Sequence, residues 1–195
     1  MPGDTDPFVE PAERTRYDLM RSKHVIVPLS LRRKLHLCGL LALLAALVGP
    51  VVATLPAAVR ETYFAGDPMT TRLGAAAAVL VGTVALAAAV AGLTAVGVSL
   101  DRRPDPPESS VWTLIAAEDA ASAFGFITGS LGVVSGAALL VSGHWGIDAV
   151  RRLNEFGVQP YLPYEVFPAT PRLASLAGLV VGLGALASSL YVGSP

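Results

Sequence analysis

The feature that most constrains this chain is a set of four long stretches without any aspartate, glutamate, lysine or arginine. They cover residues 35–59, 73–100, 120–147 and 173–195. A helix that crosses a hydrocarbon core ~30 Å thick needs about 20 residues at ~1.5 Å each, so every stretch is long enough. A soluble helix keeps a polar face for water, and these stretches have none. The sequence therefore predicts an all-α integral membrane protein.

Lipid offers the backbone no hydrogen-bond partner, so each crossing must be a helix that satisfies its own backbone groups. We expect a four-helix bundle with transmembrane helices at about 36–58, 73–99, 120–142 and 173–192. The chain then divides into a polar cytoplasmic N-terminal segment, 1–34, and a four-span domain, 35–195. Within the first segment, residues 1–12 are expected to be disordered and 13–24 to form a short surface helix.

Composition excludes several classes of protein. The net charge is −1 and only 15% of residues are charged, so no basic excess exists to neutralise nucleic-acid phosphates. A single cysteine, Cys38, rules out an internal disulfide framework. The three histidines lack metal-ligand spacing, and we expect no metal and no cofactor. Twelve arginines against two lysines, with abundant alanine, valine and glycine, suggest a GC-rich prokaryotic genome.

The distribution of lysine and arginine predicts the orientation, because cytoplasmic loops carry an excess of these residues. Seven lie in residues 1–34, and Arg32, Arg33 and Lys34 directly precede the first apolar stretch. With the N terminus inside, nine lie on the cytoplasmic side and five on the other. We therefore expect a cell-membrane protein with both termini in the cytoplasm.

Small residues at helical spacing predict how the helices pack, since close backbone approach drives association in lipid. The clearest seams are in the third and fourth predicted helices. They comprise Gly125, Gly129, Gly132, Gly136, Gly178 and Gly182.

Glu118 and Asp119 are the acids closest to an apolar stretch, and we place them at its cytoplasmic edge. Glu118 continues the glycine seam and should face the interior, whereas Asp119, ~100° away, should not. We expect Glu118 to pair with His36, Arg32 or Arg33, or with Arg102 or Arg103. The pair is either a structural ion pair or, with His36, a site that responds to protons or cations.

Two further features bear on shape. Pro50 lies within the first predicted helix and should kink or unwind it. In the third loop, residues 144–156 predict a short interfacial helix that stops at Gly157, followed by a proline-rich path with aromatic side chains. This loop would lie in the lipid headgroups or serve as a docking surface.

No catalytic set is visible, so an enzyme is the least favoured class. The pattern favours a non-catalytic accessory, assembly or scaffold subunit that acts through helix packing. Its expected partners are the lipid bilayer and a second copy or another membrane protein. The alternative is a small transporter or channel subunit with Glu118 lining a polar path.

Overall fold

The computed structural model describes residues 16–103 and 106–192, which are helical and contain no strand. The predicted disordered segment, 1–12, lies outside them. The α-helices of this part of the chain are α1 (Arg16–His24), α2 (Leu31–Ala46), α3 (Val48–Ala53), α4 (Ala57–Tyr63), α5 (Gly74–Arg102), α6 (Glu108–Phe124), α7 (Ser130–Val141), α8 (Ile147–Glu155) and α9 (Pro171–Val192). A π-helical turn, Gly125–Gly129, joins α6 to α7, and a 3-10 turn, Ser142–Trp145, follows α7.

Four helical segments are long and apolar enough to cross a membrane. These candidate spans are Leu31–Ala53, Gly74–Arg102, Glu108–Trp145 and Pro171–Val192. The second and fourth lie close to the predicted positions.

The other two helical segments have limits that differ from those of the predicted spans. The first candidate span begins and ends about five residues earlier than expected, because Pro56 cannot continue the helix and instead precedes α4. The third contains the predicted 120–142 but begins earlier, at Glu108, directly after Pro107, and Glu118 lies buried within it. The predicted domain boundary at 34–35 accordingly falls inside α2.

Pro50 loosens the first span as predicted. It has no N–H to give to the carbonyl of Ala46, and the regular helix is interrupted at Leu47. There the backbone makes a tighter turn, in which Leu47 N–H donates to the Leu44 carbonyl, three residues before it, at 3.2 Å. The interruption separates α2 from α3.

The four candidate spans pack directly against one another. The most extensive contact joins α2 to α9, while α5 contacts α2, α6, α7 and α9. At each of the six predicted seam glycines, an added Cβ would lie closer than 3.0 Å to an atom of a neighbouring helix. At Gly132, for example, it would lie 2.7 Å from the carbonyl oxygen of Ala78 in α5.

The long connection (residues 146–170) contains α8, the short helix predicted from sequence. Its Val150 is fully buried in the main core, so the apolar side of α8 packs on the chain itself rather than facing an open surface. Gly157 ends the helix as predicted, at φ +80. At this helix end, Val158 N–H donates a hydrogen bond to the Leu153 carbonyl at 2.9 Å, as in a Schellman motif.

Tyr161 anchors the rest of the long connection. It is buried, donates a 2.7 Å hydrogen bond to the Leu140 carbonyl, and packs against Tyr63 and Phe64. Burial raises the pKa of Tyr161 to about 12, so the hydroxyl keeps its proton and remains a donor.

Backbone hydrogen bonds tie the long connection to the first one (residues 64–73). Leu73 N–H bonds the Ala169 carbonyl at 3.1 Å, and Tyr164 N–H bonds the Arg72 carbonyl at 3.1 Å. The two connections form one ordered layer, the cap, which covers this end of the helices.

Gly178 and Gly184 in α9 test the packing directly. We expect Gly178→Ala to lower the free energy of unfolding by about 1–3 kcal/mol, because its Cβ would lie 2.6 Å from the backbone of Ala42 and Ala46. Gly184→Ala is the matched control, since its Cβ meets nothing within 4 Å. Reversible unfolding in detergent measures both. Equal stability of the two variants would contradict the close contact between α9 and α2.

Candidate functional site

The N-terminal helix α1 packs on the ends of α5 and α6 through a small second core. Tyr17 of α1 is buried there with Val96, Val111 and Ile115. The sequence predicted a helix lying on a surface, but the side chain of Tyr17 is only 3% exposed. Through this contact, α1 brings its polar side chains to the buried side of α6.

Glu118 is the centre of a buried polar cluster formed by Tyr17, Arg21, Lys34 and Glu118. Lys34 Nζ lies 2.6 Å from Oε1, and the Tyr17 hydroxyl donates to Oε2 at 2.6 Å. Arg21 donates from Nη2 to Oε1 at 2.8 Å and from Nε to Oε2 at 3.0 Å. Both carboxylate oxygens are therefore bonded, and they join α1, α2 and α6.

The charged groups of the cluster are largely removed from water. Two cations, Arg21 and Lys34, surround one carboxylate, and both Lys34 and Glu118 are fully buried. Burial raises the pKa of Tyr17, and its hydrogen bond to Glu118 raises it further, so Tyr17 donates as a neutral phenol. Removing water from charges is costly, and such a group is tolerated only when its partners are in place.

Asp119 and Trp112, which also lie on α6, contact the end of α1 and the segment that follows it. Asp119 Oδ1 accepts a 3.1 Å hydrogen bond from Ile26 N–H, in the segment between α1 and α2. Trp112 meets the ring of His24 edge-on, with centroids 4.9 Å apart. The two adjacent acids thus hold the N-terminal segment in different ways, one buried and one partly exposed.

The structure places Glu118 in the interior and Asp119 aside, but it gives Glu118 other partners than the sequence suggested. His36 and Arg33 are exposed, as are Arg32, Arg102 and Arg103, and none of them reaches the carboxylate. The reason is helical geometry, because residue 36 lies ~200° around α2 from Lys34. The site predicted from Glu118, His36 and Arg33 is therefore not assembled.

Sequence reasoning missed Lys34, although a signal was present. Lys34, Cys38, Ala42 and Ala45 recur at helical spacing, and all four are fully buried on the inner side of α2. For Tyr17 and Arg21 the spacing of four indicates a shared face, but nothing in the sequence connects that face to a residue about a hundred positions away.

The π-helical turn was also missed. It begins and ends at glycines, Gly125 and Gly129, that contact α5. The wider turn shifts the buried positions that follow, so Val133 rather than Gly132 is fully buried, while Gly132 remains in contact with α5. A single π turn inside an α-helix commonly marks a functional region.

The Glu118 cluster can hold α1, α2 and α6 together, but its carboxylate is poorly available for catalysis. Its carboxylate already accepts bonds from three side chains, which leaves it poorly placed as a base or nucleophile. Within residues 16–103 and 106–192, no group of three histidine, cysteine or carboxylate residues is arranged to hold a metal ion.

No family model, no curated protein and no solved structure matches this chain.

The energetic role of the cluster can be measured with Glu118→Gln. This change keeps the shape but leaves the buried Lys34 ammonium without its anion, so we expect a loss of about 3–5 kcal/mol in the free energy of unfolding. Adding Lys34→Met should recover part of the loss, because it removes the unpaired charge.

Glu108→Gln is the control, on the same helix at an exposed position, and should change little. If Glu118→Gln were as stable as this control, the cluster would not hold the N-terminal segment.

Proposed function

We propose that this chain is a multi-pass membrane protein whose candidate spans form a four-helix bundle. We further propose that it acts by binding, as a non-catalytic accessory, assembly or scaffold subunit. The first proposal concerns insertion into the membrane and the second concerns the biological role, and different observations support them.

Exposed apolar side chains in the middle of the candidate spans support membrane insertion. Leu131 is 68% exposed, Val180 71% and Val84 62%, and each points away from the core. A water-soluble protein rarely exposes apolar surface of this extent, whereas hydrocarbon is a matching solvent for it.

The excess of lysine and arginine near the N terminus supports an orientation with both termini in the cytoplasm. The cap would then lie on the outer side, and the Glu118 cluster on the inner side.

The observation that carries the binding role is the complete use of the Glu118 carboxylate within its own chain. Three side chains donate to it, so the most deeply buried acid of the described residues serves to hold helices together. A structural ion pair is the simpler of the two roles left open by the sequence. The ordered cap then offers the surface for a partner, because it exposes large apolar side chains such as Phe156 and Val166.

Cysteine labelling tests insertion and orientation, and the chain suits it because its native Cys38 is buried. In right-side-out vesicles, we expect a membrane-impermeant maleimide to label Val166→Cys directly. Ser22→Cys, on the exposed side of α1, should be labelled only after permeabilisation, and wild type is the background control. The reverse pattern would overturn the orientation, and equal labelling of both sites would overturn insertion.

The binding role predicts a stable complex in mild detergent, with a second copy or another membrane protein. Phe156 and Val166 are each 84% exposed, so changing both to serine should release the partner without unfolding the chain. Ile127→Ser with Leu131→Ser is the control, at two exposed positions of the third candidate span.

Native mass spectrometry and the unfolding temperature of each variant provide the readouts. A monomeric wild type, or loss of the complex in the control alone, would contradict a partner bound at the cap.

The alternative is a small transporter or channel subunit, favoured by a fully buried carboxylate inside a candidate span. Proton flux in proteoliposomes separates the two roles. Flux that depends on pH in wild type and disappears in Glu118→Gln, with folding retained, would replace the binding role with transport.

A further inference from the structure

An open cavity of about 140 Å³ lies where the cap meets the end of α4. The residues that line it are Tyr63, Asn154, Gln159, Tyr161, Leu162 and Pro163. Asn154 is the only asparagine in the sequence, and Gln159 is the only glutamine. Both carboxamide side chains of the protein therefore border the same small space, together with two of its five tyrosines.

Hydrogen bonds within the chain hold the wall of this cavity in place. Leu162 N–H bonds the Gln159 carbonyl at 3.3 Å, and Gly74 N–H bonds the Leu162 carbonyl at 3.2 Å. The Tyr161 hydroxyl is bonded to the Leu140 carbonyl, so the ring of Tyr161 is the part that remains to line the cavity. Because the wall is already ordered, a ligand would bind here with little loss of backbone freedom.

The polar groups of the cavity are neutral, and they can both donate and accept hydrogen bonds. A carboxamide has an N–H₂ donor and a carbonyl acceptor, and a phenol does both with one oxygen. Asn154 Nδ2 lies 3.4 Å from the Tyr63 hydroxyl, which is long for a hydrogen bond, so a better partner can replace this contact. Gln159 is exposed, and none of the described residues that line the cavity is charged. Such groups suit ligand hydroxyls, which also donate and accept.

We propose that this cavity binds one ring of a neutral carbohydrate. Its volume equals that of roughly four or five water molecules at ~30 Å³ each, so it holds a single ring and leaves the rest of a longer glycan outside. The ring hydroxyls would replace those waters beside the two carboxamides. An apolar C–H face of the sugar would lie against a tyrosine ring, whose face is electron-rich.

A carbohydrate fits these observations better than a peptide does. The two carboxamides converge on one small space, as adjacent hydroxyls on a ring require, whereas an extended peptide spaces its polar groups ~3.3 Å per residue along a line. The assignment rests neither on the proposed orientation nor on the partner proposed for the cap. The orientation adds that the cavity would open on the outer side of the membrane.

Saturation-transfer NMR on the detergent-purified full-length chain tests the site. The detergent is an amine oxide, because a maltoside would itself supply sugar rings. The probes are glucose, galactose, mannose and N-acetylglucosamine, and wild type should transfer saturation to at least one of them. Asn154→Leu and Gln159→Met should each weaken that binding about threefold to tenfold, since an apolar group of similar shape replaces the carboxamide. Thr70→Val is the control, a similar change at an exposed position of the cap outside the cavity.

The unfolding temperature shows whether each variant is folded, and Gln159 is exposed, so its substitution should leave the fold intact. Absence of binding to all four sugars, or equal affinity in the Gln159 and Thr70 variants, would overturn the site. Tighter binding of N-acetylalanine amide than of any sugar, weakened by the same two substitutions, would assign the cavity to a peptide instead. The complex tested with the Phe156 and Val166 variant is a separate measurement, so failure of one proposal is distinguishable from failure of the other.

Discussion

Backbone-to-backbone contact between helices is the constraint on which the rest of this structure depends. Where α5 meets α7, Gly82 and Gly132 lie so close that a Cβ on either would be under 3.0 Å from backbone atoms of the other helix. Between α9 and α2, an added Cβ at Gly178 would likewise lie under 3.0 Å from backbone atoms of α2. In lipid, where apolar side chains gain nothing by leaving solvent, such contacts supply the packing energy. These contacts also set which side chains of the helices face the interior of the protein.

The Glu118 cluster is one consequence of that packing. Close approach of the spans carries Lys34 and Glu118 into a fully buried position, where each charge requires its partner. Arg21 and Tyr17 belong to α1, so this helix is packed into the fold. The cluster and the neighbouring bond from Ile26 to Asp119 together fasten the segment before α2 to α6.

The two ends of the helices differ in chemistry. One end holds the buried ionic groups of the Glu118 cluster and the exposed arginines Arg102 and Arg103. The other end has the cap, where Tyr161 and backbone bonds order the long connection and leave apolar side chains outside. Charged groups therefore order one end of the helices, whereas hydrogen bonds and apolar contacts order the other.

The sequence alone determined the all-helical class, the four apolar helices and the effect of Pro50, because charge spacing and proline act locally. It also marked the helix end at Gly157, which depends on one residue's backbone freedom. Only the tertiary structure decided that Lys34 and Arg21, rather than His36 and Arg33, reach Glu118, and that the third helix begins at Glu108. Those outcomes depend on which faces of distant helices meet, and a sequence pattern gives the face of each helix without naming the helix that will cover it.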